Sequence, residues 1–89
     1  MASPVIDESQ RRSDLQRLAA YTAMVMDQAA TSRRAIAASY RRMAHFGDHR
    51  SEYFGQRAAD FDELARRAQL FADSELAVAA RQAALLSAR

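Results

Sequence analysis

Apolar and small residues recur every three or four positions along the first half of the chain, which is the spacing of one face of an α-helix. From Leu15 onward they form an unbroken heptad ladder of the kind found in coiled coils. The ladder contains Leu15, Leu18, Thr22, Val25, Ala29, Ser32, Ile36, Ser39, Met43 and Phe46. A flanking column contains Ala19, Met26 and Tyr40. The pattern predicts one long helix over about residues 4–46.

The second half of the chain has more regular columns at the same spacing. One column contains Ala58, Ala65, Ala72, Ala79 and Leu86, and its neighbour contains Leu64, Phe71, Val78 and Leu85. Between them run Phe54, Phe61 and Ala68, followed by the polar residues Glu75 and Gln82. The repetition predicts a second long helix over about residues 51–88.

Helix-breaking residues are rare, and their positions divide the chain in two. The chain has one proline, Pro4, and two glycines, Gly47 and Gly55. Ser3 and Pro4 are typical of a helix start, and Gly47 is suited to the left-handed residue that ends a helix. Asp48 or Ser51 can begin the second helix. The sequence therefore predicts one all-α domain over residues 1–89, an antiparallel two-helix hairpin with its turn at about residues 47–50.

A single hairpin has no third layer to cover its outer faces, yet 49% of the residues are hydrophobic. A turn centred near residue 48 pairs residue i with about residue 95 − i. The apolar segment 76–86 then lies opposite the polar segment 9–19, and the segment 18–30 has a similar apolar excess. We therefore expect the chain to associate with itself as a homodimer or higher oligomer that forms a four-helix bundle.

The residues expected at the interface are those that carry this apolar excess. They are Leu15, Leu18, Tyr21, Met24, Val25, Phe61, Phe71, Glu75, Leu76, Val78, Leu85 and Leu86. The core of the assembly is expected to contain, besides several of these, Met26, Ile36, Tyr40, Met43, Phe54 and Leu64. Glu75 interrupts the stripe of the second helix, and a polar residue in a helix seam can select register and oligomeric state.

The sequence offers little that is typical of catalysis. It lacks cysteine, its histidines lie near the turn, and no nucleophile is paired with a base, so we expect neither an enzyme nor a cofactor. His45, His49 and Glu52, beside Asp48, are weak candidates for a metal site. Gly47 among them breaks the helix that would hold the ligands together, and we interpret the group as a polar turn.

Arginine supplies all thirteen basic side chains, in a chain whose net charge is +2. Four doublets occur, at 11–12, 33–34, 41–42 and 66–67. Nucleic-acid binding through them is one alternative, because arginine side chains neutralise phosphates. Acidic residues are interspersed, however, and the pairs Asp62–Arg66 and Glu63–Arg67 have the spacing of ion pairs within a helix. Nucleic acid is therefore not the expected partner.

Tyr53-Phe54-Gly55, close to the mid-chain turn, resembles the tripeptide of the WXG100 family of secreted helical hairpins. Tyrosine stands where that family has tryptophan, and no tyrosine follows Tyr53 to serve as its secretion signal. The resemblance implies a secreted hairpin as a further alternative. The residues themselves favour a cytoplasmic protein without a membrane span, because the least charged stretch is shorter than the roughly 20 residues that a span needs. We expect a non-catalytic interaction or regulatory module that binds itself and another protein.

Overall fold

The computed structural model describes residues 4–47 and 49–88, with side chains from residue 7 onward. It contains two α-helices, α1 (Pro4–His45) and α2 (Ser51–Ser87), and no strand within the described ranges. The prediction of an all-α hairpin is confirmed. The hairpin measures 69 × 24 × 12 Å, so it is a single layer one helix thick. Ser3 and Asp48, which the sequence suggested as helix-starting residues, lie outside the described residues.

Gly47 ends α1 in the left-handed conformation that its position in the sequence predicts. Its φ angle is 74°, and its N–H donates a hydrogen bond of 3.3 Å to the carbonyl of Ala44. The N–H of Phe46 donates to the carbonyl of Met43 at the same distance. These bonds satisfy carbonyls that the last turn of a helix otherwise leaves unpaired.

The second helix begins at Ser51, the start that the sequence predicts. Arg50 is the residue before its first turn, and the Arg50 carbonyl accepts a hydrogen bond of 2.9 Å from the N–H of Phe54. Ser51 is therefore the first helical residue and not the cap, and the Arg50 side chain makes no capping hydrogen bond. Gly55 lies inside α2.

Alanine lines the contact between the two helices. Every described side chain that is buried belongs to alanine, and each is 0–9% exposed. They are Ala19, Ala23, Ala30 and Ala37 of α1 and Ala58, Ala65, Ala68, Ala72 and Ala79 of α2. Because a methyl group occupies so little space, the two backbones can approach closely along this seam. We call this row of contacts the alanine seam.

The seam shows which face of α1 meets α2. The ladder that begins at Leu15 does not face α2, since its large members are all at least 40% exposed. The helix contact is instead made by the flanking column together with alanines four residues further along, Ala23, Ala30 and Ala37. Both rows have heptad spacing. Because alanine is only weakly hydrophobic, the row of larger side chains gives the stronger periodic signal in the sequence.

The helices meet in a register slightly different from the predicted one. The ring of Tyr40 contacts the rings of both Phe54 and Phe61, with centroids 6.1 and 5.7 Å apart. Tyr40 is therefore level with the turn of α2 around Ala58, whereas a turn centred near residue 48 placed it opposite Gly55. The difference is less than one helical turn, about 4.5 Å. The apolar end of α2 remains beside the polar first turns of α1.

Candidate interaction surface

One side of the alanine seam is polar. Arg41 of α1 forms an ion pair with Asp62 of α2, and Arg34 donates a hydrogen bond of 3.0 Å to the Oε1 atom of Gln69. In α1 these residues directly follow positions 33 and 40 of the flanking column, and in α2 they directly follow positions 61 and 68. In both helices they recur every seven residues. We call this side the polar flank. The ion pair and the hydrogen bond are exposed and each adds little to stability, but they leave this side well solvated.

The other side of the seam is apolar and uncovered. We call it the apolar flank and define it by nine large side chains, each 36–62% exposed. They are Leu15, Leu18, Val25, Ile36 and Met43 of α1 and Leu64, Phe71, Val78 and Leu85 of α2. These nine side chains form a larger apolar patch than the surface of a monomer ordinarily exposes, where large apolar residues are scattered singly.

Helix geometry explains why these nine side chains share one side. Ile36 and Met43 directly precede the seam positions 37 and 44, while Leu64 and Phe71 directly precede Ala65 and Ala72. In an antiparallel pair, residues that precede the seam in either helix lie on the same side, and residues that follow it lie on the other. The ion pair and the amide contact of the polar flank follow the seam, so the apolar flank lies opposite them.

The predicted interface residues divide into three groups in the structure. Six lie on the apolar flank: Leu15, Leu18, Val25, Phe71, Val78 and Leu85. Three occupy seam positions of α2 and are partly covered: Phe61, Glu75 and Leu86. Three are exposed on other sides of the hairpin: Tyr21, Met24 and Leu76. The structure therefore brings half of the predicted residues together on one continuous surface.

An aromatic cluster closes the end of the seam near the turn. Tyr40 lies between Phe54 and Phe61, and the guanidinium of Arg57 stands over both the Tyr40 and Phe61 rings, 5.9 and 5.3 Å from their centroids. Tyr53 meets Phe54 edge-on. These contacts fix the turn end through half-buried side chains. They extend the cross-helix contact beyond the alanines.

Glu75 and Gln82 occupy seam positions of α2 on the side away from the turn. Glu75 is partly exposed and forms no hydrogen bond or ion pair with any residue that the structure describes. The Oε1 atom of Gln82 is buried and has no hydrogen-bond partner in the same described ranges. Arg17 instead pairs with Asp14 of its own helix. The seam is therefore weakest in its outer half.

Most of the arginine doublets are engaged within the chain. Arg66 and Arg67 both bind Glu63, and the Arg66 contact is bidentate, at 2.6 and 2.9 Å. Hydrogen bonds from Arg66, and then from Arg67, lower the pKa of the Glu63 carboxyl from 4.5 to about 2. The predicted pair Glu63–Arg67 is present, whereas Asp62 pairs across the hairpin with Arg41 and not with Arg66.

The turn brings together little of the predicted metal chemistry. His45 ends α1, His49 lies in the turn and Glu52 lies in the first turn of α2, all three exposed. Among the described residues, no three His, Cys, Asp or Glu side chains are close enough to hold a metal ion. Three open hollows of about 310–390 Å³ lie on the surface, one of them lined by residues of the polar flank and by Leu70.

Neither described helix is both long and apolar enough to cross a membrane. The tripeptide that resembles the WXG100 family lies within the first turns of α2, with Tyr53 exposed. Comparisons of the chain with protein-family models, curated proteins and solved structures found no match. The apolar flank is the surface feature on which the proposed function rests.

Proposed function

We propose that this protein is a non-catalytic interaction or regulatory module that acts as a homo-oligomeric bundle of helices in the cytoplasm. One observation carries the proposal: buried side chains in the described residues are alanines, while nine large apolar side chains share one uncovered side. Burial of large apolar side chains is the main favourable term in folding. A hairpin that covers its methyl groups and exposes its leucines gains most of that term only on assembly.

The size of the surface supports this proposal. The hairpin is 69 Å long and 24 Å wide, which gives each side an outline of roughly 1,600 Å². A stable protein interface covers about 800 Å² on each partner. The apolar flank runs along most of the hairpin, from Leu15 and Leu85 at one end to Met43 near the turn. A second hairpin laid on it would complete a four-helix bundle, the arrangement expected from the sequence.

The mass of the protein in solution tests the proposal directly. Sedimentation equilibrium at low micromolar concentration is expected to give at least twice the chain mass of 9.9 kDa. The melting temperature is expected to rise with protein concentration, because dissociation accompanies unfolding. A folded species of single-chain mass, with a melting temperature that does not depend on concentration, would refute the bundle.

Two leucines of α2 provide a matched pair of variants. Leu64 lies on the apolar flank and is 40% exposed, whereas Leu70 faces the polar side and is 55% exposed. Leu64→Asp is expected to dissociate the oligomer, because the interface would bury an unpaired carboxylate. Leu70→Asp introduces the same charge in the same helix and is expected to keep the oligomer intact. Equal retention of the oligomer by both variants would exclude the apolar flank as the interface.

A further inference from the structure

The outer edge of the apolar flank on α2, which we call the rim, carries charged side chains. Their order restricts how two copies can pair. Residues 60, 67, 74 and 81 recur every seven positions along this rim, as aspartate, arginine, serine and arginine. Asp60 lies eleven residues before Phe71 and Arg81 lies ten residues after it. Phe71 is therefore midway between one negative and one positive side chain on the same edge.

Arg81 has no hydrogen bond or ion pair with any described residue of its own chain. The Oδ1 atom of Asp60 accepts one hydrogen bond from Gln56, and its Oδ2 atom lies 3.9 Å from a guanidinium nitrogen of Arg57. The Asp60 side chain remains 48% exposed. Arg57 is itself drawn toward the rings of Tyr40 and Phe61. Arg81, which is unpaired among the described residues, and the incompletely paired carboxylate of Asp60 thus stand at nearly equal distances from Phe71, the centre of the flank.

The apolar residues of α2 are arranged symmetrically about the same centre. Leu64 precedes Phe71 by seven residues and Val78 follows it by seven, so two α2 helices in antiparallel contact at Phe71 would place Leu64 of each beside Val78 of the other. In that contact Asp60 of one copy lies near Arg81 of the other, twice per dimer. A two-fold interface requires the same surface to match itself, and these residues meet that requirement.

We propose that two copies stack through their apolar flanks with a two-fold axis near Phe71, α2 against α2 and α1 against α1, and with their turns at opposite ends. This inference rests on the proposed function and specifies the arrangement of its assembly. The competing arrangement has both turns at one end and lays α2 of one copy on α1 of the other. The α2 rim would then meet the corresponding edge of α1, which is formed by Leu18, Val25, Ser32 and Ser39. That edge offers no charge to Asp60 or Arg81.

The distance between the two turns separates these arrangements. Because the chain has no cysteine, His49→Cys gives one spin-labelling site per copy, in the exposed turn. The turn is about 20 residues, or about 30 Å, from the level of Phe71 at a rise of 1.5 Å per residue. Pulsed electron–electron double resonance on the labelled dimer is expected to give a distance of about 60 Å between the two labels. A distance below about 30 Å would overturn the arrangement and leave the bundle itself intact.

Charge reversal on the rim gives a second, independent measurement. Arg81→Glu is expected to weaken dimerisation at least about fivefold, because two attractive pairs become repulsive, and Asp60→Arg in the same chain is expected to restore it. Arg17→Glu, an exposed residue whose side chain pairs with Asp14 of its own helix, makes the same change in net charge and is expected to have no effect. A double variant that dimerises no better than Arg81→Glu would contradict the pairing. A wild-type monomer would instead refute the proposed function.

Discussion

The ring of Tyr40 in α1 stacks on the ring of Phe61 in α2, with centroids 5.7 Å apart and ring planes inclined by 17°. This contact joins the helices near the turn, where the guanidinium of Arg57 covers both rings. The remainder of the seam consists largely of methyl groups. The aromatic contact therefore contributes a large share of the apolar area that the hairpin buries by itself.

Phe61→Ala is accordingly expected to destabilise the hairpin by about 3 kcal/mol, the lower end of the range for core phenylalanines because Phe61 is only partly covered. Urea denaturation followed by circular dichroism measures the loss. Tyr53→Ala, which removes an exposed ring that touches only Phe54 among the described rings, is the control and should cost much less. Equal losses in the two variants would contradict a special role for the Tyr40–Phe61 stack.

Phe71→Ala is expected to act on assembly more than on the hairpin. The sequence placed Phe71 at the interface of the assembly, and in a single hairpin its side chain is 48% exposed on the apolar flank. The variant should raise the dimer dissociation constant by at least about tenfold, as truncation of a central interface aromatic does. Sedimentation across a concentration series measures this constant. An unchanged constant with a lower melting temperature would assign Phe71 to the fold of one hairpin instead.

The two glycines predict opposite effects of one substitution. Gly47 has a φ angle of 74°, so Gly47→Ala is expected to destabilise by about 1 kcal/mol through backbone strain. Gly55 is inside α2, and a Cβ atom there would meet nothing within 4 Å, so Gly55→Ala is expected to stabilise by up to about 1 kcal/mol. A Cβ atom at Gly47 is equally free of contacts, which isolates the backbone effect. Thermal melts of the two variants should shift in opposite directions.

Glu75 is expected to influence pairing more than stability. It is a seam carboxylate without a partner in the described part of the chain, beside the buried residues Ala72 and Ala79. Glu75→Leu removes the cost of desolvating a charge and should leave the melting temperature unchanged or higher, while broadening the distribution of oligomers. Thermal melts and sedimentation velocity test both parts. A much less stable variant with one unchanged oligomer would show that Glu75 makes a net stabilising contact.

The pKa of Glu63 predicts a pH dependence in the acid range. Arg66 and Arg67 lower that pKa to about 2 from 4.5, so the folded state binds the proton less readily than the unfolded state. The stabilisation is complete above about pH 4.5 and is lost as pH falls toward 2. Glu63→Gln removes this contribution, and its melting temperature should depend less on pH between 4.5 and 2 than that of the wild type. Parallel pH profiles would contradict this assignment.

The hydrophobic pattern and the three breakers were sufficient to predict two long helices and the turn at Gly47, because these depend on local backbone preferences and on periodicity within one segment. The pairs within α2 were partly predictable for the same reason, since Glu63 and Arg67 are one helical turn apart. The cross-helix pair Arg41–Asp62 was not, because its residues are distant in sequence and depend on register.

What only the tertiary structure decided is which of two heptad rows in α1 meets α2. The ladder at Leu15 and the row containing Ala19 and Ala23 have the same spacing, so periodicity cannot rank them. Close approach of the two backbones favours alanine at the contact, which turns the bulkier residues outward. That choice separates a polar flank from an apolar flank, and it leaves Leu15, Phe71 and their neighbours, which the sequence placed at the interface of the assembly, exposed on the surface of a single hairpin.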